Sequence, residues 1–290
     1  MRFAIATYDR YLGVFEAFCR AGWIPLKLFT VPLRDPDFGN QRASIALAEQ
    51  KGASIQLSRI SQRDIADIGI AGCDVLIVAG YDWKIPDWNP LLKYAINFHP
   101  SPLPVGRGAY PLPRAILENH PSWGVTCHRL TAEIDAGEIL AAEHFPLRAD
   151  ECHESLDLRV QIAGRRLADR VARNFGELWR AAAPQGIGTY WPKITLADKV
   201  ADFSKPIDDL LRHIRAYGRT GSVANVEGTW HIVKCAVGWQ ETHEHQPGAL
   251  VHTLGRAVVV AAPDGYLAIL ESEVVPPHLA VQIAGALGKS

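Results

Sequence analysis

The sequence predicts an α/β protein: a Rossmann-like, mostly parallel sheet covered by helices, followed by a smaller β-rich, barrel-like domain. Three observations carry that expectation. Up to about residue 180, short apolar or β-branched runs alternate with stretches whose apolar residues recur at helical spacing, the pattern of βαβ units. After residue 204 closely spaced strand-like runs follow a single helix, which suits a small barrel or an open sheet. The length of 290 residues exceeds what one hydrophobic core usually organises, so one large and one small domain are expected.

Residues 3–6 read as the first strand, 12–21 as an amphipathic helix and 26–31 as the second strand. A helix at 41–51, a short strand at 54–57 and a helix at 61–68 continue the alternation. Residues 75–79 are apolar throughout, as in a strand covered on both faces. Strands at 95–99, 123–130 and 139–145 come next, and 154–180 carries Leu, Ile and Val at helical spacing. Residues 181–204 hold Pro184, Gly186, Gly188 and Pro192 with few periodic apolar positions, the composition of a connecting arm. The domains are therefore expected at 1–180 and 205–290, joined by a linker at 181–204. In the second, 206–217 reads as a helix and 229–237, 249–253, 257–262 and 266–275 as strands, with Pro263-Asp264-Gly265 supplying a turn.

Lys and Arg number 30 against 31 Asp and Glu, so no global charge attracts polyanions and a nucleic-acid partner would need a local patch. The five cysteines are odd in number, widely spaced and free of C-x-x-C pairs, as expected of reduced thiols in a cytosol. The opening apolar run, residues 3–6, is too short for a secretory segment. Runs such as 75–80 and 257–262 fall far short of the ~20 residues that cross a bilayer. A cytoplasmic protein without a membrane span is expected.

The first strand leads into Thr7-Tyr8-Asp9-Arg10-Tyr11-Leu12-Gly13, which lacks the G-x-G-x-x-G fingerprint of a dinucleotide site. Neither a phosphate-cradling G-x-x-x-x-G-K-[ST] nor a G-x-S-x-G nucleophile elbow occurs. His243-Glu244-His245 has no third partner at a recognisable spacing, and no metal is assigned.

The informative segment is Asn97-Phe98-His99-Pro100-Ser101-Pro102-Leu103-Pro104-Val105-Gly106-Arg107-Gly108, where polar groups interrupt a core strand. A period of two puts Asn97 and His99 on one face at the strand's carboxyl end, where open α/β sheets bind ligands. The prolines and glycines behind them force a fixed loop. A second interruption, Thr131 to Glu138, lies between two apolar strands and brings Asp135 within reach of His99. Asn, His and Asp in one cleft suit addition of an amine to a carbonyl. Asn97 would donate to the developing oxyanion. His99, held protonated or nearly so by Asp135, would stabilise that charge and supply a proton to the leaving group.

The signature N-x-H-P-S-x-L-P-x-x-R-G-x-x-P at 97–111, followed by D-x-G-x-I-L at 135–140, resembles the formyltransferase family that uses 10-formyltetrahydrofolate. Thr189-Tyr190-Trp191-Pro192-Lys193-Ile194-Thr195 with Asp202-Phe203 looks like the interdomain arm of the branch that acts on methionyl-tRNA and amino sugars. The resemblance implies a formyltransferase fold, 10-formyltetrahydrofolate as co-substrate, and Asn97, His99 and Asp135 as catalytic residues. It places folate against the loops holding Ala79, Gly80, Tyr81, Asp82 and Trp83 and holding Leu130, Thr131 and Ile134. Trp88 adds aromatic surface nearby.

Ser101, Arg107 and Arg114 are the candidate substrate contacts, with loop organisation the alternative for the first two. Pro102, Gly106 and Arg114 depart from the family's usual residues, which marks the acceptor side as atypical. Residues 32–44 offer only Arg34 and Arg42 against Asp35 and Asp37, and 205–290 carry seven Lys or Arg against eight Asp or Glu. A tRNA platform should be more basic. Arg212, Arg215 and Arg219 form a stripe that reads mainly as a solvated face. The expected activity is therefore N-formylation of a small amine, such as an amino sugar nucleotide or an amino-acid-derived metabolite. The alternatives are methionyl-tRNA formylation, formyltetrahydrofolate hydrolysis, and a non-catalytic folate- or RNA-binding protein.

Overall fold

The computed structural model describes residues 1–32 and 40–287. The loop charges Arg34, Asp35 and Asp37 lie outside the described residues, as do Lys289 and the side chain of Arg219. The chain forms two units. The first comprises Met1–Pro111, Ser122–Pro146 and Leu158–Pro192, and the second comprises Leu112–Pro121, Leu147–Asp157 and Lys193–Ser290.

In chain order the elements up to the arm are β1 (Arg2–Ala6), α1 (Leu12–Arg20), β2 (Ile24–Phe29), α2 (Arg42–Gln50), β3 (Ser54–Gln56), α3 (Gln62–Ile70), β4 (Val75–Ala79), β5 (Tyr94–His99), β6 (Arg107–Gly108), α4 (Leu112–Leu117), β7 (Ser122–Arg129), β8 (Ile139–Pro146), α5 (His153–Arg180) and β9 (Tyr190–Trp191). The first unit is built on a sheet of order β3-β2-β1-β4-β5-β7-β8. The pairs β2–β3, β1–β2, β1–β4 and β4–β5 are parallel. β7 runs antiparallel to β5, and β8 antiparallel to β7. This is the mostly parallel α/β sheet that the alternating pattern predicts.

Every residue of β4 is buried, which places the all-apolar run at the sheet's centre. One face packs Phe3, Phe15, Phe18, Trp23 and Phe98 as edge-on and tilted aromatic neighbours. The other face holds Ala4, Ala6, Val78 and Ala95 under Ile65 and Ile68 of α3. α3 begins in a capping box, with Ser61 and Asp64 each bonding the other's backbone nitrogen, so two otherwise orphaned N–H groups are satisfied. At the end of β4, Gly80 has φ +75° and lies against the rings of Tyr8 and Tyr11. A Cβ there would meet those rings, so only glycine lets the chain turn so close to them.

The second unit adds α6 (Ile207–Tyr217), β10 (Ser222–Val226), β11 (Thr229–Gln240), β12 (Leu250–Leu254), β13 (Ala257–Ala262), β14 (Gly265–Val274) and α7 (Pro277–Leu287). Its antiparallel sheet has the order β10-β11-β14-β13-β12. Ile207, Leu210 and Ile214, one stripe of α6, pack on Val233, Leu267 and Ile269. The turn residue Asp264 accepts from Ile207 N at 2.9 Å, so the β13–β14 hairpin also caps α6.

The structure departs from the sequence reading at short or uniform segments. β2 starts and ends two residues earlier than the pattern places it. α4 has six residues, too few to show a helical period, and α7 is apolar with no polar stripe to reveal one. β10 also goes unforeseen, and β9 lies inside the arm, paired parallel with β6. No helix among the described residues is long and apolar enough to cross a membrane.

Candidate active site

Asn97 and His99 stand on the Ala95 face of β5, and the antiparallel register sets His128 opposite Asn97 and Thr126 opposite His99. The loop after β7 then folds back over this face and delivers Asp135 with φ +52°. That left-handed conformation is costly for a residue with a Cβ and needs support from its surroundings. Asn97 Nδ2 donates to Asp135 Oδ1 at 3.2 Å and lies 3.2 Å from His128 Nε2. Gly108 N donates to Asp135 Oδ2 at 2.9 Å. His99 Nδ1 lies 3.5 Å from Oδ2, and His128 Nε2 lies 3.5 Å from Oδ1. One carboxylate is thus enclosed by an amide, a main-chain N–H and two imidazoles.

The remaining ring nitrogens fix the tautomers. His99 Nε2 lies 2.8 Å from Gly106 O, and His128 Nδ1 lies 2.8 Å from Arg129 O. Carbonyls only accept, so each of those nitrogens carries its proton. In the neutral rings His99 Nδ1 and His128 Nε2 are then bare.

Burial would push the Asp135 carboxyl up. The neighbouring His128 and His99 rings and the Gly108 N–H all favour the carboxylate, outweigh burial and hold the group at about 2. For His99 the balance goes the other way: burial pulls its pKa down, against the opposing pull of Asp135 and of the Gly106 hydrogen bond. The 3.5 Å separation is also longer than a charge-assisted N–H···O contact. This corrects the expectation of a protonated His99. The ring rests neutral because desolvation outweighs its carboxylate neighbour.

The folate-side expectations meet mixed geometry. Tyr81 and Leu130 pack against the same apolar cluster as Val78 and Ala95, so both loops reach the face that carries Asn97. Thr131, Ile134 and Asp82 are exposed. Tyr81, however, accepts from Ile60 N at 2.9 Å through its hydroxyl, and Arg59 lies 5.2 Å over the Trp83 ring. Trp88 is partly buried against the same cluster. Each of these aromatics thus makes a contact within the fold.

Among the candidate substrate contacts, Ser101 is fully buried and its hydroxyl has no hydrogen-bond partner among the described residues. Arg107 lines a cleft of about 370 Å³ with Glu133, Ile134, Gly188, Thr189 and Tyr190. Its Nε donates to Gln185 Oε1 at 3.0 Å. Arg114 lies on α4 in the second unit, where it pairs with Glu118 one turn along at 3.8 Å. Its side chain is partly buried, and its Nε is buried with no hydrogen-bond partner among the described residues. Among the described residues no group of three or more His, Cys, Asp or Glu could hold a metal ion.

His128 adjoins both Asn97 and Asp135, a neighbour that sequence reasoning missed. Its signal was a polar residue on the Thr126 face of an otherwise buried strand, but only the strand register brings it opposite Asn97.

The sequence and the fold are similar to those of known proteins. Residues 40–171 match the formyl transferase family model. The chain is 32% identical over 215 residues to the methionyl-tRNA formyltransferase of Dechloromonas aromatica, covering 71% of this chain and 67% of that protein. It is also 32% identical over 201 residues to the enzyme of that name from Pseudothermotoga lettingae, where the match covers 68% of this chain and just under two thirds, 66%, of the relative. The chain belongs to the formyl transferase family. Solved structures share the fold. An N-formyltransferase from Helicobacter canadensis, in complex with folinic acid and dTDP-3-aminofucose, superposes with a TM-score of 0.66 at 15% identity, covering 94% of this chain and 99% of that one. HypX from Aquifex aeolicus in complex with tetrahydrofolic acid gives 0.64 at 20% identity, covering 97% of this chain and 47% of that protein.

Proposed function

We propose that this protein transfers a formyl group from 10-formyltetrahydrofolate to the primary amine of a small acceptor, an amino sugar nucleotide or an amino-acid-derived metabolite. The convergence of Asn97 and His99 on the Asp135 carboxylate carries the reading. 10-Formyltetrahydrofolate supplies the formyl carbon, held as an amide at N10. The chain's residues supply the rest. Asn97 Nδ2 now divides its two hydrogens between Asp135 Oδ1 and His128 Nε2, and one of them turns to the formyl oxygen as negative charge builds there. The acceptor nitrogen bonds to the formyl carbon and releases a proton. His99 takes it at Nδ1, its one open acceptor, with Asp135 beside it to stabilise the imidazolium. The C–N10 bond then breaks and N10 takes the proton from His99, so proton and electrons balance. On this reading residues 1–180 form the catalytic domain, with the small domain at 205–290. Tyr81, Asp82, Trp83, Thr131 and Ile134 lie along the folate path, which their loops would line largely with main chain.

The near-neutral balance of residues 205–290 favours the small acceptor over RNA, because a phosphate backbone is held by Lys and Arg. Methionyl-tRNA is the second reading, favoured by the name of the sequence relatives. The test incubates the protein with 10-formyltetrahydrofolate and a panel of amines including amino sugar nucleotides and methionyl-tRNA, following tetrahydrofolate release and product mass. A formylated small amine supports the proposal. Formylation of methionyl-tRNA alone overturns the acceptor, free formate means hydrolysis, and no turnover means a binding protein.

A further inference from the structure

The composition of residues 181–204 suggests a passive connector, yet its first half is bound along the loop that shapes the catalytic cluster. Thr189 N donates to Pro104 O at 3.1 Å, Arg107 N to Thr189 O at 2.9 Å, and Gly106 N to Thr189 Oγ1 at 2.8 Å. The β6–β9 pairing sets Arg107 against Tyr190 and Gly108 against Trp191. The loop held in this way presents two main-chain groups to the site: the Gly106 carbonyl on His99 and the Gly108 N–H on Asp135.

One side chain joins that loop to Asp135 itself. Gln185 Nε2 donates to Asp135 O at 2.8 Å and to Gly137 O at 2.7 Å, while its Oε1 accepts from Arg107 Nε at 3.0 Å. Both hydrogens and the oxygen of the carboxamide are used. Both carbonyls belong to the turn that follows the φ +52° of Asp135, a conformation that persists only where neighbouring bonds fix it.

We propose that Gln185 is a positioning residue for formyl transfer: it fixes the Asp135 backbone against the Arg107 loop and so sets where the carboxylate meets His99 and Asn97. The inference rests on the reading of Asn97, His99 and Asp135 as the reacting centre. Gln185 needs no contact with either substrate. A carboxamide is required at this position, since a carboxylate keeps the Arg107 contact but has no hydrogen for the two carbonyls.

The test compares Gln185→Ala and Gln185→Glu with wild type in the full-length protein, measuring kcat, KM for 10-formyltetrahydrofolate, Tm, and the imidazole titrations of His99 and His128 by nitrogen NMR. Both variants are expected to lose about 100-fold in kcat, as small misplacements of reacting groups do. KM for folate should stay within about twofold and Tm close to wild type, as for an interaction made at the reacting centre alone. The His99 titration should move in both variants, with Gln185→Glu no better than Gln185→Ala. Wild-type kcat and an unchanged His99 titration in either variant overturn the inference. So does a loss of kcat matched by a general loss of Tm, which marks Gln185 as an ordinary fold contact. The two readings separate cleanly: a wild-type protein that formylates no amine defeats the reaction while the titrations still decide the role of Gln185.

Discussion

Asn97 and His128 face each other across the β5–β7 ladder, and the Asn97 amide nitrogen stands 3.2 Å from His128 Nε2 while also donating to Asp135. His128 therefore competes with Asp135 and with any incoming formyl oxygen for the two hydrogens of one amide. Replacing it by Phe keeps a buried ring and removes the nitrogen. His128→Phe should lower kcat by about 10-fold to 100-fold through a misplaced amide, with little change in KM for folate. A wild-type kcat in steady-state assays would remove His128 from the site.

Asp135 is charged and mostly buried, so its contribution to stability depends on pH. Its folded pKa of about 2 lies below its ordinary value of 3.8, so the stabilisation is fully present above that ordinary value and is lost as pH falls toward about 2. The shift is worth about 2 kcal/mol. Asp135→Asn should be less stable than wild type by roughly that amount near neutral pH, and urea melts should show the gap closing below pH ~4.

Burial of His99 gives a pH dependence of the same sign. Its folded pKa lies below the ordinary 6.5, so the unfolded chain binds the proton first and stability declines as pH falls through that value. His99→Gln should flatten this slope on the acid side of neutrality. Activity should also fall there as the Nδ1 acceptor of His99 becomes occupied, and denaturation curves paired with pH–rate profiles test both effects.

The arm is also anchored by stacking. Trp191 lies parallel to the buried Trp123, with ring centroids 5.8 Å apart and an interplanar angle of 4°. Trp191→Ala should cost about 3 kcal/mol, the usual scale for a buried aromatic. Thermal unfolding checks the value, and the same variant should lose activity because β9 braces β6.

The alternation of strands and helices in the first half of the chain was legible because βαβ units repeat a strong pattern, and residues 75–79 announced the buried centre of the sheet. Asn97 and His99 were legible as polar residues in a core strand, and Asp135 as a polar residue beside Gly137. His128 and Gln185 were not, because their partners depend on strand register and on a folded arm rather than on local spacing. The charge on His99 was misjudged for a related reason. Sequence names a carboxylate neighbour, whereas the depth of burial that overrides it appears only in three dimensions.

Transfer of a carbon-13 formyl group tests the central claim most directly, using 10-formyltetrahydrofolate labelled at the formyl carbon, a small amine acceptor, and wild-type protein beside His99→Asn in single-turnover reactions. The account predicts label on the acceptor nitrogen with wild type and a loss of at least about 100-fold in rate with His99→Asn, while both proteins bind folate equally. Equal transfer rates in the two proteins, or label recovered only as formate, would contradict it.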